Sequence, residues 1–115
     1  MTGRYSQASS GPSPSPTSRE DGVYVDELRV GAVVDIETQH RHYRLVKRDQ
    51  AHVSIAGHPT FCPQPVEVEI EGSIGDKFPL FSHPGYIGRG LHLVYRHPHF
   101  EVVTTSRIRE IHTRS

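Results

Sequence analysis

Apolar and polar residues alternate along most of the chain from about residue 32 onward. The clearest example is residues 66–71, where Val66, Val68 and Ile70 alternate with glutamates. Successive side chains of a β-strand point to opposite faces, so this segment predicts a strand with one apolar and one acidic face. The same alternation, interrupted by polar turns, predicts further strands at residues 32–38, 43–48, 51–56, 87–97 and 101–105.

The connections between these strands favour a small antiparallel sheet. Asp49-Gln50 is a two-residue link of the kind found in hairpins, and no segment shows a capped helical period. Near the end, Thr104-Thr105-Ser106 breaks the alternation before residues 107–111 resume it as a short strand or helical turn. This ending is typical of an SH3-type barrel. The sequence therefore predicts an all-β fold, a small antiparallel SH3-like barrel or roll.

Short segments in the second half of the chain carry a family resemblance. Glu71-Gly72-Ser73, Tyr86-Ile87-Gly88-Arg89-Gly90 and Thr105-Ser106-Arg107-Ile108 resemble segments of uncharacterised small bacterial SH3-like β-barrel proteins. The resemblance implies the fold, and it transfers no activity, cofactor or partner.

Residues 1–21 are rich in Ser, Pro and Gly and contain few apolar side chains. Such a segment buries too little apolar surface to offset the entropy of ordering, so it predicts a disordered tail. The functional alternative is a proline-motif ligand or a phosphorylated Ser-Pro site. Residues 22–115 are predicted to form a single small β-barrel domain.

The composition of the chain argues against several classes of protein. The 115 residues include 13 basic and 13 acidic side chains, a balance that does not favour a polyanion bound across the whole surface. Cys62 is the single cysteine, so an internal disulfide is excluded, which fits a reducing compartment. Because the sequence has neither an apolar run of about 18 residues nor a secretory signal pattern, we expect a cytoplasmic protein that does not enter a membrane.

Histidine is unusually frequent, and two pairs stand two residues apart: His40 with His42, and His97 with His99. Residues with this spacing on a strand share a face, so two imidazoles can bind one ion. If the two pairs met, four imidazoles could hold zinc. The alternative is that these histidines are polar groups at turn edges, since Pro98 separates one pair and neither pair has a third ligand at a known spacing.

Tyrosines and arginines interleave on two predicted strands, a pattern found in barrels that bind peptides or single-stranded nucleic acid. The alternative is that the tyrosines lie at the edge of the core and the arginines cover them. The predicted binding residues are Tyr43, Arg44, Arg48, Tyr86, Arg89, Tyr95 and Arg96.

Two other groups of residues suggest less specific chemistry. Glu67, Glu69 and Glu71 form an acidic row typical of an outer sheet face, which could attract a cation or a basic partner, or pair with arginines of neighbouring strands. Cys62 with His58 lacks the orienting third group of a thiol nucleophile, so a buried, packed cysteine is the favoured interpretation.

Three functions follow from these observations. The first is a non-enzymatic binding or assembly module that uses the loops at residues 57–65 and 73–84 to contact another protein or a copy of itself. The second is a nucleic-acid-binding barrel that uses the arginines and tyrosines above. The third is a metal-binding protein or enzyme centred on the histidine pairs, with zinc as its cofactor. The first two require no cofactor.

Overall fold

The computed structural model describes residues 18–50, 52–75 and 82–114. These contain ten β-strands and a short 3-10 turn at Val25–Glu27. The strands are β1 (Ser18–Glu20), β2 (Gly22–Tyr24), β3 (Val33–Thr38), β4 (His42–Lys47), β5 (Val53–Ala56), β6 (Val66–Ile74), β7 (Ser82–Pro84), β8 (Tyr86–Gly88), β9 (His92–His97) and β10 (Glu101–Arg114).

Six of these strands pair in a closed ring, in the order β3, β4, β5, β6, β9, β10 and back to β3. Every pairing is antiparallel. The ring closes because the two longest strands change partner along their length. β6 pairs first with β5 and then with β9, whereas β10 pairs first with β9 and then with β3. The predicted all-β antiparallel class is confirmed, and the finer SH3-like assignment stays a prediction.

Irregular pairing lets the long strands bend. The register shifts in β6 between Ile70 and Gly72, and in β10 between Thr104 and Arg107. Such bulges increase the local bend and twist of a strand. Gly72 has φ +138°, and a side chain there would collide with the backbone of β7, so glycine is required. The predicted break at Thr104-Thr105-Ser106 is thus a bulge within one 14-residue strand. The prediction of a separate element at residues 107–111 is wrong, because these residues continue the same strand.

The inward-facing rows of the ring form the core, and they are the alternating apolar positions of the sequence. Ile36, Leu45, Ile55, Leu93 and Ile111 are each at most 2% exposed. Lys47 continues the inward row of β4, and its Nζ donates a hydrogen bond to the Val25 carbonyl at 2.6 Å.

Three sequence predictions need correction or lie outside the described residues. β1 pairs with β10, so Ser18–Glu20 belongs to the sheet and the predicted tail extends too far. The predicted strand at 87–97 is two strands, because the chain turns at Gly90, where φ is +83°. Residues 1–17 and 76–81, with the rest of the predicted tail and part of the second predicted loop, lie outside the described residues. Within the described ranges, the structure contains no helix with the length and apolar character needed to cross a membrane.

Candidate binding groove

The sequence His-Pro-X-Phe occurs twice, and it folds both times into the same turn. The first turn is residues 58–61, and the second turn is residues 97–100. In the first, Nδ1 of His58 accepts backbone N–H bonds from Thr60 and Phe61 at 3.0 and 3.3 Å. In the second, Nδ1 of His97 accepts the corresponding bonds at 2.9 and 3.3 Å. Proline has no backbone N–H to donate, so the histidine satisfies the two donors that follow it.

The two turns pack against each other. The rings of Phe61 and Phe100 meet edge to face with centroids 5.1 Å apart. Nε2 of His97 lies 2.8 Å from the carbonyl oxygen of Phe61. Because a carbonyl only accepts, Nε2 carries the ring proton, and Nδ1 is the acceptor within the second turn. Both nitrogens of the buried His97 ring are therefore used to hold the structure.

A groove of about 520 Å³ runs beside the second turn, across β6, β9 and the start of β10. It is called the acidic groove below. Its buried residues are Val68 and His97, which are 2% and 5% exposed. The other residues that line it are His52, Glu67, Glu69, Arg96, Pro98, Glu101 and Val102.

Carboxylates dominate the charge of the acidic groove. Arg96 on β9 lies opposite Glu69 of β6 on one side and opposite Val102 of β10 on the other. The three residues therefore form one row across the sheet. Nε and Nη2 of Arg96 both lie 2.8 Å from Oε2 of Glu71, which compensates the arginine. The exposed carboxylates of Glu67, Glu69 and Glu101 outnumber His52, the basic side chain at the rim, so the groove is suited to a cation.

Glu67 also contributes to a group of three charged side chains at the rim. Ligand atoms of Asp49, His52 and Glu67 lie within 4.8 Å of one another. An Asp49 oxygen accepts the His52 backbone N–H at 2.8 Å and lies 3.1 Å from the His52 ring nitrogen. This hydrogen bond and the aspartate charge raise the pKa of His52. A raised pKa favours the imidazolium form, which can pair with the carboxylates, and a metal ion would have to displace its proton to bind the ring.

The four histidines of the predicted zinc site are not brought together. His40 and His42 are exposed at the turn between β3 and β4, and His42 lies 3.9 Å from Asp35. His97 and His99 are neighbours in the second turn, with ring centroids 5.9 Å apart. Among the residues that the structure describes, the rim group above is the one cluster of three or more potential metal ligands.

The predicted aromatic and basic surface is not assembled either. Tyr43 and Tyr95 are 2% and 0% exposed, so their rings lie in the core and cannot stack on a ligand. Burial raises the pKa of Tyr43 to about 12 and also raises the pKa of Tyr95. Cys62 is 0% exposed, with Sγ 3.9 Å from the Tyr95 hydroxyl. The favoured interpretation of Cys62 as a buried, packed residue is confirmed.

The predicted binding arginines are exposed, and most are held by carboxylates. Arg44 pairs with Asp35 and Arg89 with Asp21, each at 2.8 Å, and Arg96 pairs with Glu71 as described above. Arg48 is exposed just after β4. Tyr86 and Arg89 do come together, at a hollow of about 630 Å³ that Asp21 and Arg109 also line. Two of the seven predicted residues thus share one site, and only Arg96 reaches the acidic groove.

Comparison of the chain with protein-family models, with curated proteins and with solved structures yields no match. The resemblance to small bacterial SH3-like barrels therefore stays a prediction. The features missed in the sequence are the repeated His-Pro-X-Phe turn and the groove residue Glu101. The repeat is visible in the sequence, because both copies carry proline and phenylalanine at the same offsets from histidine.

Proposed function

We propose that this protein is a non-enzymatic binding module whose acidic groove holds a positively charged segment of another protein. The observation that carries the proposal is the groove itself, in which Glu67, Glu69 and Glu101 surround buried Val68 and the local arginine is compensated by Glu71. Opposite charge guides encounter and orientation, while apolar contact adds affinity.

The apolar rim of the groove supports a protein ligand over a free cation. Val102 lines the groove and is 50% exposed, so a large apolar side chain stands in solvent next to the carboxylates. A peptide that carries both basic and apolar side chains would cover both kinds of surface. A small inorganic cation would leave the apolar part uncovered.

The test is fluorescence anisotropy with a short labelled peptide in which lysine alternates with leucine. We expect saturable binding that weakens as salt rises, because exposed charges are screened beyond about 8 Å at physiological ionic strength. Binding to Glu67→Gln/Glu69→Gln should be about fivefold to tenfold weaker, the sum of two exposed ion pairs. The matched control is Glu27→Gln/Glu37→Gln, which removes two exposed carboxylates that do not line the groove and should leave affinity unchanged.

Peptide binding that is unaffected by the groove substitutions would contradict the proposal, as would equal binding of a peptide with glutamate in place of lysine. Sedimentation at several protein concentrations tests whether the partner is a second copy of this chain. A concentration-independent monomer excludes a second copy as the partner.

Nucleic-acid binding is the second candidate, because Tyr86 and Arg89 share one hollow with Arg109. The Tyr86 ring also packs on exposed Tyr24 with centroids 4.8 Å apart, which offers an aromatic surface for stacking. A labelled single-stranded oligonucleotide in the same assay tests it. Tight binding with a steep salt dependence that Arg89→Gln reduces would favour the oligonucleotide over the peptide.

A further inference from the structure

Glu101 has an unusual backbone conformation for its residue type. Its φ is +62°, and within the described residues it is the one non-glycine residue with positive φ. A side chain in this left-handed region brings Cβ close to the following carbonyl, which is why glycine is favoured there. Glu101 follows three turn residues and pairs with His97 across the hairpin. In hairpins of this length, the position after the turn commonly takes left-handed glycine.

The first turn shows that the His-Pro-X-Phe sequence does not impose this conformation. There Cys62 follows the phenylalanine and pairs with His58, as Glu101 pairs with His97. Cys62 is buried and is not among the residues with positive φ. The left-handed backbone at Glu101 is therefore a property of the second turn alone.

Packing does not explain why a glutamate occupies the strained position. Glu101 is exposed, so its side chain fills no space in the core. What the side chain does supply is a carboxylate at the acidic groove, between exposed Phe100 and exposed Val102 in the chain. Strain of this kind at a surface position is typical of sites where a side chain is held for a ligand.

We infer that Glu101 determines the specificity of the acidic groove by pairing with a lysine or arginine of the partner. The partner residue next to that cation would be apolar and would contact Val102. The expected partner segment is thus extended, with basic and apolar residues adjacent. This inference rests on the proposed function and names the chemistry that the groove recognises.

The experiment separates binding from stability with two substitutions at Glu101. Glu101→Gly removes the carboxylate and relieves the left-handed backbone, so we expect a higher denaturation midpoint together with about fivefold weaker binding of the lysine–leucine peptide. Glu101→Gln removes only the charge, so we expect the same loss of affinity and an unchanged midpoint. A peptide with glutamine in place of lysine should bind the unsubstituted protein and both variants equally weakly.

The outcomes distinguish this inference from the proposed function. If both Glu101 variants bind the lysine–leucine peptide as the unsubstituted protein does, while Glu67→Gln/Glu69→Gln does not, the role of Glu101 is wrong and the groove function stands. If the unsubstituted protein fails to bind that peptide, both fail. If Glu101→Gly lowers the denaturation midpoint, the strain argument is wrong.

Discussion

The first and second turns share a sequence and a hydrogen-bond pattern but differ in how the histidine is surrounded. In both, the histidine ring lies against the phenylalanine of the same turn, at 4.6 Å for His58 and 4.9 Å for His97. His97 is 5% exposed and its Nε2 donates to the Phe61 carbonyl of the first turn. His58 is half-buried, and its bonds to Thr60 and Phe61 stay within its own turn.

The short sequence therefore determines the local turn, whereas the surrounding sheet determines its role. The second turn connects β9 to β10 beside the acidic groove and presents Glu101 there. The first turn lies in the connection between β5 and β6 and places Cys62 in the core. The same turn structure thus places a buried cysteine in the core in one case and a carboxylate at the groove in the other.

The largest expected effect that tests this comparison comes from removing each imidazole. His97→Ala leaves the part-buried Phe61 carbonyl and two backbone N–H groups without partners, so we expect a loss of about 2–4 kcal/mol in the free energy of unfolding. His58→Ala affects two N–H groups in a more exposed turn, so we expect about 1 kcal/mol. Urea denaturation at neutral pH measures both.

Asparagine provides the matched control, because its Oδ1 can accept the same two backbone bonds as Nδ1 of histidine. His58→Asn should recover almost all of the stability lost in His58→Ala. His97→Asn should recover only part, since it cannot replace the Nε2 bond to the first turn. Equal losses at the two histidines would contradict the idea that the surroundings set their roles.

The sequence predicts the strands well because their alternating rows depend on local residues alone. The same rows also indicate that Tyr43 and Tyr95 point inward, beside Leu45 and Leu93, so their assignment to a binding surface conflicts with the pattern. Once the ring closes, an inward row has no access to solvent. The arginines of the outward rows are exposed as expected.

The acidic groove could not be predicted in the same way, because it depends on which strands become neighbours. Glu69 and Glu101 are far apart in the chain, and they line one groove only because β9 lies between β6 and β10. Pairing of this kind is a long-range property. β1 was missed for a related reason: its three residues carry no apolar alternation, and pairing with β10 alone defines it as a strand.

A smaller effect on stability is expected from pH, through the titration of His58. Burial, followed by the charge of Arg41, lowers the pKa of His58 from its ordinary value of 6.5. The folded state then binds fewer protons than the unfolded state between the two pKa values, so stability is full above pH 6.5 and declines as pH falls through that range. We expect the free energy of unfolding to fall from pH 7.5 to 5.5, and to fall less in His58→Asn.

His52 is the control of opposite sign for this measurement. Its hydrogen bond to Asp49 raises its pKa, so its contribution to stability is present below pH 6.5 and is lost as pH rises through the folded-state value. His52→Asn should therefore make the decline toward acid steeper. A steeper decline in His58→Asn instead would show that the sign at His58 is wrong.

The smallest expected effect comes from making the two turns identical in sequence by His99→Thr. His99 is exposed, as is Thr60 at the same place in the first turn. The hydrogen bond from this position to the histidine of the turn is donated by its backbone N–H, which threonine retains. We therefore expect a change of less than about 0.5 kcal/mol in the free energy of unfolding, as for other exposed substitutions.

The same substitution also tests the predicted histidine zinc site, since His99 is one of its four members. Because the structure does not bring His99 near His40 or His42, we expect zinc binding, measured by calorimetry on protein without a histidine tag, to be the same in His99→Thr and in the unsubstituted protein. A loss of zinc affinity in the variant would show that the histidine pairs do converge on an ion. Any zinc that binds equally to both proteins should instead be lost in His52→Asn, because the rim cluster is the remaining ligand group of the described residues.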